Sequence, residues 1–279
     1  MTSAPRAEPL FLDTPGGARF ALYHPPHGAV RAALLYLHPF AEEMNKSRRM
    51  AALAARRMAA HGVGVLQLDL HGCGDSAGEF SDARWDGWHA DVAAGLDWLH
   101  ARLGIEPGLW GLRLGSLLAL DHAAQAARTP ARLLLWQPVP NGAQHLIQFL
   151  RLRVAGEMLQ DGAGGGGTAA LRARLQAGET LEIGGYRLHP ALALAIEGVD
   201  AATLALPRCR IDWLDMVPDA GRPLTPASTR LAERWRAAGL DVHQMAVPGP
   251  SFWTTQEIAE SPALLDASTA LFTESCDVA

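Results

Sequence analysis

The chain has 279 residues, 49% hydrophobic and 19% charged, with a formal net charge of -5. That is the make-up of a packed globule of one large α/β domain with space for an inserted segment, and it excludes a nucleic-acid binder, which carries a basic face. No basic-then-apolar leader is present and no apolar run approaches the about 20 residues that cross a bilayer; three scattered cysteines, Cys73, Cys209 and Cys276, suggest neither a disulfide frame nor a metal site. The expected compartment is the reducing cytoplasm.

Residues 1–8 read as a loose polar tail. Leu10–Leu12 and Ala18–Tyr23 flank Pro15-Gly16-Gly17 as an antiparallel hairpin. Ala32–Leu37 and Gly64–Leu70 are continuous apolar runs of the kind buried on both faces of a parallel sheet. Between them Ser47 is the expected N-cap of a helix reaching Ala60. Asp82 is the expected cap of a second helix, with Trp85, Trp88, Val92, Leu96 and Leu99 on one stripe. Gly108–Leu112 is a strand, Ser116–Ala127 a helix and Arg132–Gln137 a strand.

This alternation predicts a mostly parallel, doubly wound sheet with right-handed crossovers. From Pro138 to Pro207 the rhythm breaks into helical stretches (Gln144–Met158, Ala169–Leu175) around a mobile glycine run, Gly162–Gly167. Residues 140–206 are therefore expected to be a helical lid over the C-terminal edge of a core made of residues 1–139 and 207–279. The rhythm resumes with strands at Arg210–Leu214 and Val242–Val247 and helices at Pro226–Ala238 and about Glu257–Phe272.

The stretch Leu109-Trp110-Gly111-Leu112-Arg113-Leu114-Gly115-Ser116 is a strand that turns on glycines into a helix. These are the parts of a nucleophile elbow, which holds its middle residue exposed at the top of a parallel sheet. In a serine hydrolase that residue is Ser; here it is Arg113, whose guanidinium stays protonated and cannot attack a carbonyl. Asp69-Leu70-His71-Gly72-Cys73-Gly74-Asp75-Ser76 predicts a tight loop one strand earlier, with Cys73 a small loop residue. His38-Pro39-Phe40-Ala41-Glu42-Glu43-Met44-Asn45 follows the first buried strand, where this kind of fold lines its oxyanion pocket. Glu42, Glu43 and Asn45 then stand either at a ligand site on the sheet's C-terminal edge or in a solvated loop.

The strings Phe40-Ala41-Glu42-Glu43-Met44-Asn45-Lys46-Ser47, Asp69–Ser76 and Trp110-Gly111-Leu112-Arg113-Leu114-Gly115 together resemble the exosortase A system-associated hydrolases, type 2. Trp136-Gln137-Pro138-Val139 and Gly185-Tyr186-Arg187-Leu188 look like that family's lid region, and Pro248-Gly249-Pro250-Ser251-Phe252-Trp253 like its tail. The resemblance implies an α/β-hydrolase fold with a helical lid insertion. It also implies a place in bacterial exopolysaccharide and exosortase (PEP-CTERM) loci, with hydrolysis of an ester or thioester as the activity suggested by the family's name.

The usual triad is incomplete. Arg113 takes the serine's position, Asp215 and Asp219 are available as the acid, and the turn Val247–Trp253 has no histidine. A cation at a helix N-terminus needs an anion to answer it. Glu42, Glu43, Asp75, Asp215 or Asp219 would do so internally; alternatively a ligand carboxylate or phosphate would be gripped by Arg113. The candidate catalytic residues are accordingly Arg113, Glu43, Ser116 and Asp219, with Ser76, Cys73 and His38 as further possible nucleophiles or bases. His38, Phe40, Glu42, Asn45, Asp75 and Arg113 are the candidate ligand contacts. No cofactor, metal or nucleic-acid partner is expected; the ligand is a small acyl or sugar molecule, or an anion held without catalysis.

Overall fold

The computed structural model describes residues 6–161 and 166–273; residues 1–5 of the expected tail, 162–165 of the glycine run, and Cys276 lie outside the described residues. β1 (Glu8–Thr14) and β2 (Gly17–His24) form the hairpin. β3 (Ala32–Leu37) leads into α1 (Glu42–Ala60), and β4 (Val63–Leu68) leads through a 3-10 turn (Phe80–Asp82) into α2 (Trp85–Leu103). β5 (Gly108–Leu112), α3 (Leu114–Gln125) and β6 (Arg132–Trp136) follow. The chain then leaves the sheet for α4 (Gly142–Asp161), α5 (Gly167–Gln176), a small hairpin of β7 (Leu181–Ile183) and β8 (Tyr186–Leu188), and α6 (Pro190–Gly198). β9 (Arg210–Val217), α7 (Pro226–Ala237), β10 (Asp241–Pro248) and α8 (Pro262–Thr273) complete it.

The eight strands of the main sheet run in the order β1-β2-β4-β3-β5-β6-β9-β10. β2 is antiparallel to both β1 and β4, and the other pairings are parallel. β3 and β5, at the centre of the sheet, are apolar throughout because both of their faces are covered. Leu35, Leu37, Leu109, Leu133 and Leu135 face α2 and α3, while Leu34, Tyr36, Trp110, Leu134 and Trp136 face α1 and α8. The apolar residues of α4, α5 and α6 join the first of these clusters. No helix among the described residues is long and apolar enough to cross a membrane.

Four expectations are corrected. α1 starts at Glu42, so Ser47 is a fully buried residue inside the helix, not its cap, and Glu42, Glu43 and Asn45 are helical. The two glutamates sit in the first turn, where the helix dipole favours negative charge. Asp82 closes the 3-10 turn by accepting from the Glu79 amide, and α2 begins after Arg84. The break between β6 and β9 contains a hairpin as well as helices, because paired glycines at Gly184 and Gly185, both at positive φ, turn β7 back on β8. The last helix starts at Pro262, five residues later than expected, with proline fixing its first turn.

The β5–α3 turn sets the height of everything above the sheet. Arg113 has φ 55° and ψ -118° and is the N-cap of α3. Its amide donates to Trp136 O (3.0 Å) and its carbonyl accepts from the Ser116 amide (3.0 Å). Two glycines allow this. A Cβ on Gly111 would lie 2.4 Å from Ser116 Cα, and one on Gly115 would lie 2.2 Å from Leu37 O. Both neighbours are backbone, so neither can give way. Ala41 (φ 52°) and Gln137 (φ 42°), the other two non-glycine residues at positive φ among those described, follow β3 and β6, the strands on either side of β5.

A buried ion pair ties the hairpin to the sheet's flank. Arg19 Nε donates to Asp91 Oδ1 at 2.7 Å, and Asp91 Oδ2 accepts from the His71 amide at 2.7 Å. Burial outweighs the guanidinium and holds the Asp91 carboxyl above its ordinary value. The pair therefore adds little beyond what a matched apolar pair would give, yet breaking it strands a buried charge. Asp91→Ala is expected to cost about 3–5 kcal/mol in urea unfolding; a loss under about 1 kcal/mol would show that Arg19 finds water instead. Gly115→Ala is expected to cost at least about 1–3 kcal/mol, the range for forced overpacking, and a wild-type midpoint would contradict the close approach of α3 to β3.

Candidate functional site

Above the C-terminal edge of β3, β5 and β6 lies a cavity of about 170 Å³. Phe40, Glu42 and Glu43 line it from the β3–α1 side, Arg113 from the β5–α3 turn, His145, Gln148, Phe149 and Leu152 from α4, and Thr254 from the loop after β10. Its walls are of two kinds. Phe40 packs edge-on to Phe149 (ring centroids 4.9 Å) and to His145 (5.9 Å) and makes the apolar side. Glu42, Glu43 and Arg113 make the charged side.

Arg113 is answered from inside the protein. Its Nε lies 3.4 Å from Glu43 Oε1, and its Cζ stands over the Trp253 ring, 5.6 Å from the centroid. Of the five carboxylates that could have met it, Glu43 does so because α1 begins early enough to put residue 43 in its first turn. A contact of 3.4 Å is a long hydrogen bond, and the ring contributes a second, weaker hold on the cation. Glu43 is itself buried. Burial pushes its carboxyl up to about 7, Arg113 opposes that, and the neighbouring Glu42 adds to it. Glu43 Oε2 and Glu42 Oε2 are occluded and have no hydrogen-bond partner among the described residues.

His145 is the third polar group of the cavity. Both ring nitrogens are occluded and lack a partner among the described residues. Burial, reinforced by the positive charge of Arg113, lowers its pKa to about 3, so the imidazole is neutral. The site thus concentrates one guanidinium, two carboxyls and a neutral imidazole in a small desolvated space.

The raised Glu43 carboxyl links folding to pH. The folded state holds a proton that the unfolded chain releases between the ordinary value of 4.5 and about 7. This group's contribution to stability is therefore fully present below about 4.5 and is lost as pH rises through about 7.

The structure brings together only part of the expected set. Phe40, Glu42, Glu43 and Arg113 share the cavity. Ser116 does not face it: the residue is fully buried and its hydroxyl donates to Trp136 O at 3.4 Å, which leaves it no route to a ligand. Asp219 is exposed in the turn after β9, where its carbonyl accepts from the Arg222 amide. Asp75 is exposed and its amide donates to Asp69 Oδ2. Asn45 is exposed on α1 and donates to the Tyr186 hydroxyl at 3.3 Å.

His38 is buried with both nitrogens in use: Nδ1 donates to Pro39 O (2.8 Å), and Nε2 accepts from the Leu70 amide (3.4 Å). It braces two loops, and burial lowers its pKa. Ser76 is spent in the same way on Asp69 O and the Phe20 amide, and burial pushes the Cys73 thiol far up. Asp215 is buried in β9 and accepts from Gln244 Nε2 at 3.1 Å.

The sequence reading gave no site role to His145, Gln148, Phe149, Leu152, Trp253 or Thr254. His145 and Phe149 are four apart and fall on one face of α4, a signal that was present but could not say which face met the sheet. Among the residues lining the cavity the one hydroxyl is that of Thr254, and it donates to Ser251 O at 3.0 Å.

No protein-family model and no curated protein sequence matches this chain. Solved structures do match in shape. Est1E from Butyrivibrio proteoclasticus, in complex with ferulic acid, is 14% identical over 94% of this chain and 97% of its own, with a TM-score of 0.65. Mouse alpha/beta hydrolase domain-containing protein 10 is 16% identical over 95% of each chain, with a TM-score of 0.59. XC6422 from Xanthomonas campestris, an α/β serine hydrolase without a lid, is 17% identical over 95% of this chain and 91% of its own, with a TM-score of 0.57. The strand order, the turn at Arg113 and these likenesses agree on one architecture: the chain has the α/β-hydrolase fold.

Proposed function

We propose that the chain is a hydrolase of the ester or thioester class whose base is Glu43 and whose elbow carries Arg113 in place of a nucleophilic serine. The observation that carries this reading is the buried Arg113–Glu43 pair on the wall of the cavity, with the Glu43 carboxyl pushed up to about 7. A carboxylate of that basicity is suited to take a proton from water at neutral pH. In the proposed reaction a water oxygen attacks the carbonyl carbon while Glu43 accepts its proton. The Arg113 guanidinium meets the charge developing on the carbonyl oxygen. As the C–O or C–S bond breaks, the proton on Glu43 passes to the leaving alkoxide or thiolate.

Residues 140–206 act as the lid in this proposal, since α4 supplies His145, Gln148, Phe149 and Leu152 to the cavity roof. The resemblance in the Glu-Glu-Met-Asn-Lys-Ser string supports a role in bacterial exopolysaccharide and exosortase loci. A second reading has its own support: the long 3.4 Å contact leaves guanidinium hydrogens for an anionic ligand, and such a protein would bind without turnover.

Short acyl esters and thioesters are the test substrates. Hydrolysis is expected to rise with pH through about 7 as Glu43 deprotonates, to fall roughly 10²–10⁴-fold in Glu43→Gln, and to proceed with no labelling by a fluorophosphonate probe. Stoichiometric labelling of a serine, or full activity in Glu43→Gln, would refute the mechanism. No turnover, together with a melting-temperature rise on adding anionic acyl or sugar ligands that Arg113→Ala abolishes, would establish the binding reading instead. Carbon-13 NMR of the carboxyl groups should also find the Glu43 midpoint moving upward in Arg113→Leu, because the guanidinium is what holds it down; an unmoved midpoint would mean the two do not interact.

A further inference from the structure

A second cavity, of about 210 Å³, lies under α1 and shares no lining residue with the one at Arg113. Its walls are Phe20 and Leu22 of β2, Tyr36 of β3, Leu68 of β4, and Met44, Ala51 and Ala52 of α1; Arg48, Asp69, His38 and Gln67 complete the lining. The void has a sequence cause. α1 crosses these strands with alanines at 51 and 52, which cover the strands without filling the space above them. It exceeds the about 150 Å³ of an apolar cavity that stays dry and takes up benzene.

Its polar groups are few, and Gln67 Oε1 is already bonded to His24 Nε2 at 2.9 Å. Arg48 Nη2 meets Asp69 Oδ2 at 3.1 Å, so the two charges cancel. Both His38 nitrogens are already bonded, which leaves that ring as a wall. Tyr36 is different. The residue is 5% exposed and its ring packs on Trp110 at 4.3 Å. Its hydroxyl has no partner among the described residues and is not one of their occluded atoms, and Tyr36 lines the cavity. The fields of Arg48 and Asp69 both reach that hydroxyl, and burial keeps it protonated, a neutral donor and acceptor.

We infer that this cavity is a second small-molecule site, taking an uncharged group of about one ring with a single hydroxyl or carbonyl oxygen bonded to Tyr36. A charged ligand is excluded, because the wall offers no unpaired ion and desolvating a charge is costly. The inference is independent of the chemistry at Arg113.

Calorimetric titration with benzyl alcohol tests it, with benzoate, benzylamine and toluene as comparisons. Benzyl alcohol is expected to bind at one site and the two ions not to bind. Ala52→Phe, which fills the space, is expected to abolish binding, and Arg113→Ala to leave it unchanged. Tyr36→Phe is expected to weaken benzyl alcohol about fivefold, the effect of one hydrogen bond, and to leave toluene alone. No binding to the wild-type chain, or unaltered binding to a natively folded Ala52→Phe, would overturn the inference. If Ala52→Phe does not fold, Ala51→Val and the alcohol-against-toluene contrast in Tyr36→Phe decide it: equal losses for both ligands would also overturn it.

Discussion

Arg113 is held in a backbone conformation that side-chain-bearing residues seldom adopt, because β5 must turn into α3 within a few residues while α3 packs against the end of β3. Gly111 and Gly115 let the two backbones close to a distance no Cβ would tolerate. The result is a guanidinium held at the head of the sheet and at a helix N-terminus, where the dipole already repels positive charge. That placement is unfavourable alone. The fold meets it with Glu43 from a neighbouring helix start and with the Trp253 ring from the loop after β10.

This arrangement propagates to the other groups of the cavity. Glu43 is desolvated by the same walls that bring it to Arg113, and burial wins over the ion pair, so the carboxyl stays far more basic than an ordinary glutamate. His145 feels the same guanidinium and stays neutral. Two adjacent turns, at Ala41 and Gln137, carry the same uncommon sign of φ, so backbone strain gathers around one crevice. A well-packed structural knot needs no cavity beside it; here about 170 Å³ stands open next to the pair.

Much of the architecture was legible in the sequence. Apolar runs without alternation marked the parallel strands, and the change of rhythm at Pro138 marked where the chain leaves the sheet between β6 and β9. The turn at Arg113 was legible because glycines bracket it at fixed spacing. Helix starts were less so: Ser47 and Asp82 have the chemistry of caps, but Ala41 and Arg84 take those positions because loop geometry, not side-chain bonding, ends the preceding segment. Within the site, Glu43 was visible as one of five carboxylates, and only the register of α1 against β3 singles it out. Ser116 looked available from its spacing, yet the helix turns its hydroxyl toward Trp136. His145 shared a helix face with Phe149, but no pattern could place that face or Trp253 at the cavity, since each reaches it through packing between segments far apart in the chain.

The account rests on Arg113 and Glu43 acting as one unit in a desolvated crevice. A double-mutant cycle on unfolding free energy, using Arg113→Gln, Glu43→Gln and the pair, measures that directly. The account predicts a coupling of about 0.5–3 kcal/mol, the range for residues in contact, growing as pH is raised from 5 to 8 and Glu43 ionises. Effects that simply add at both pH values would contradict it.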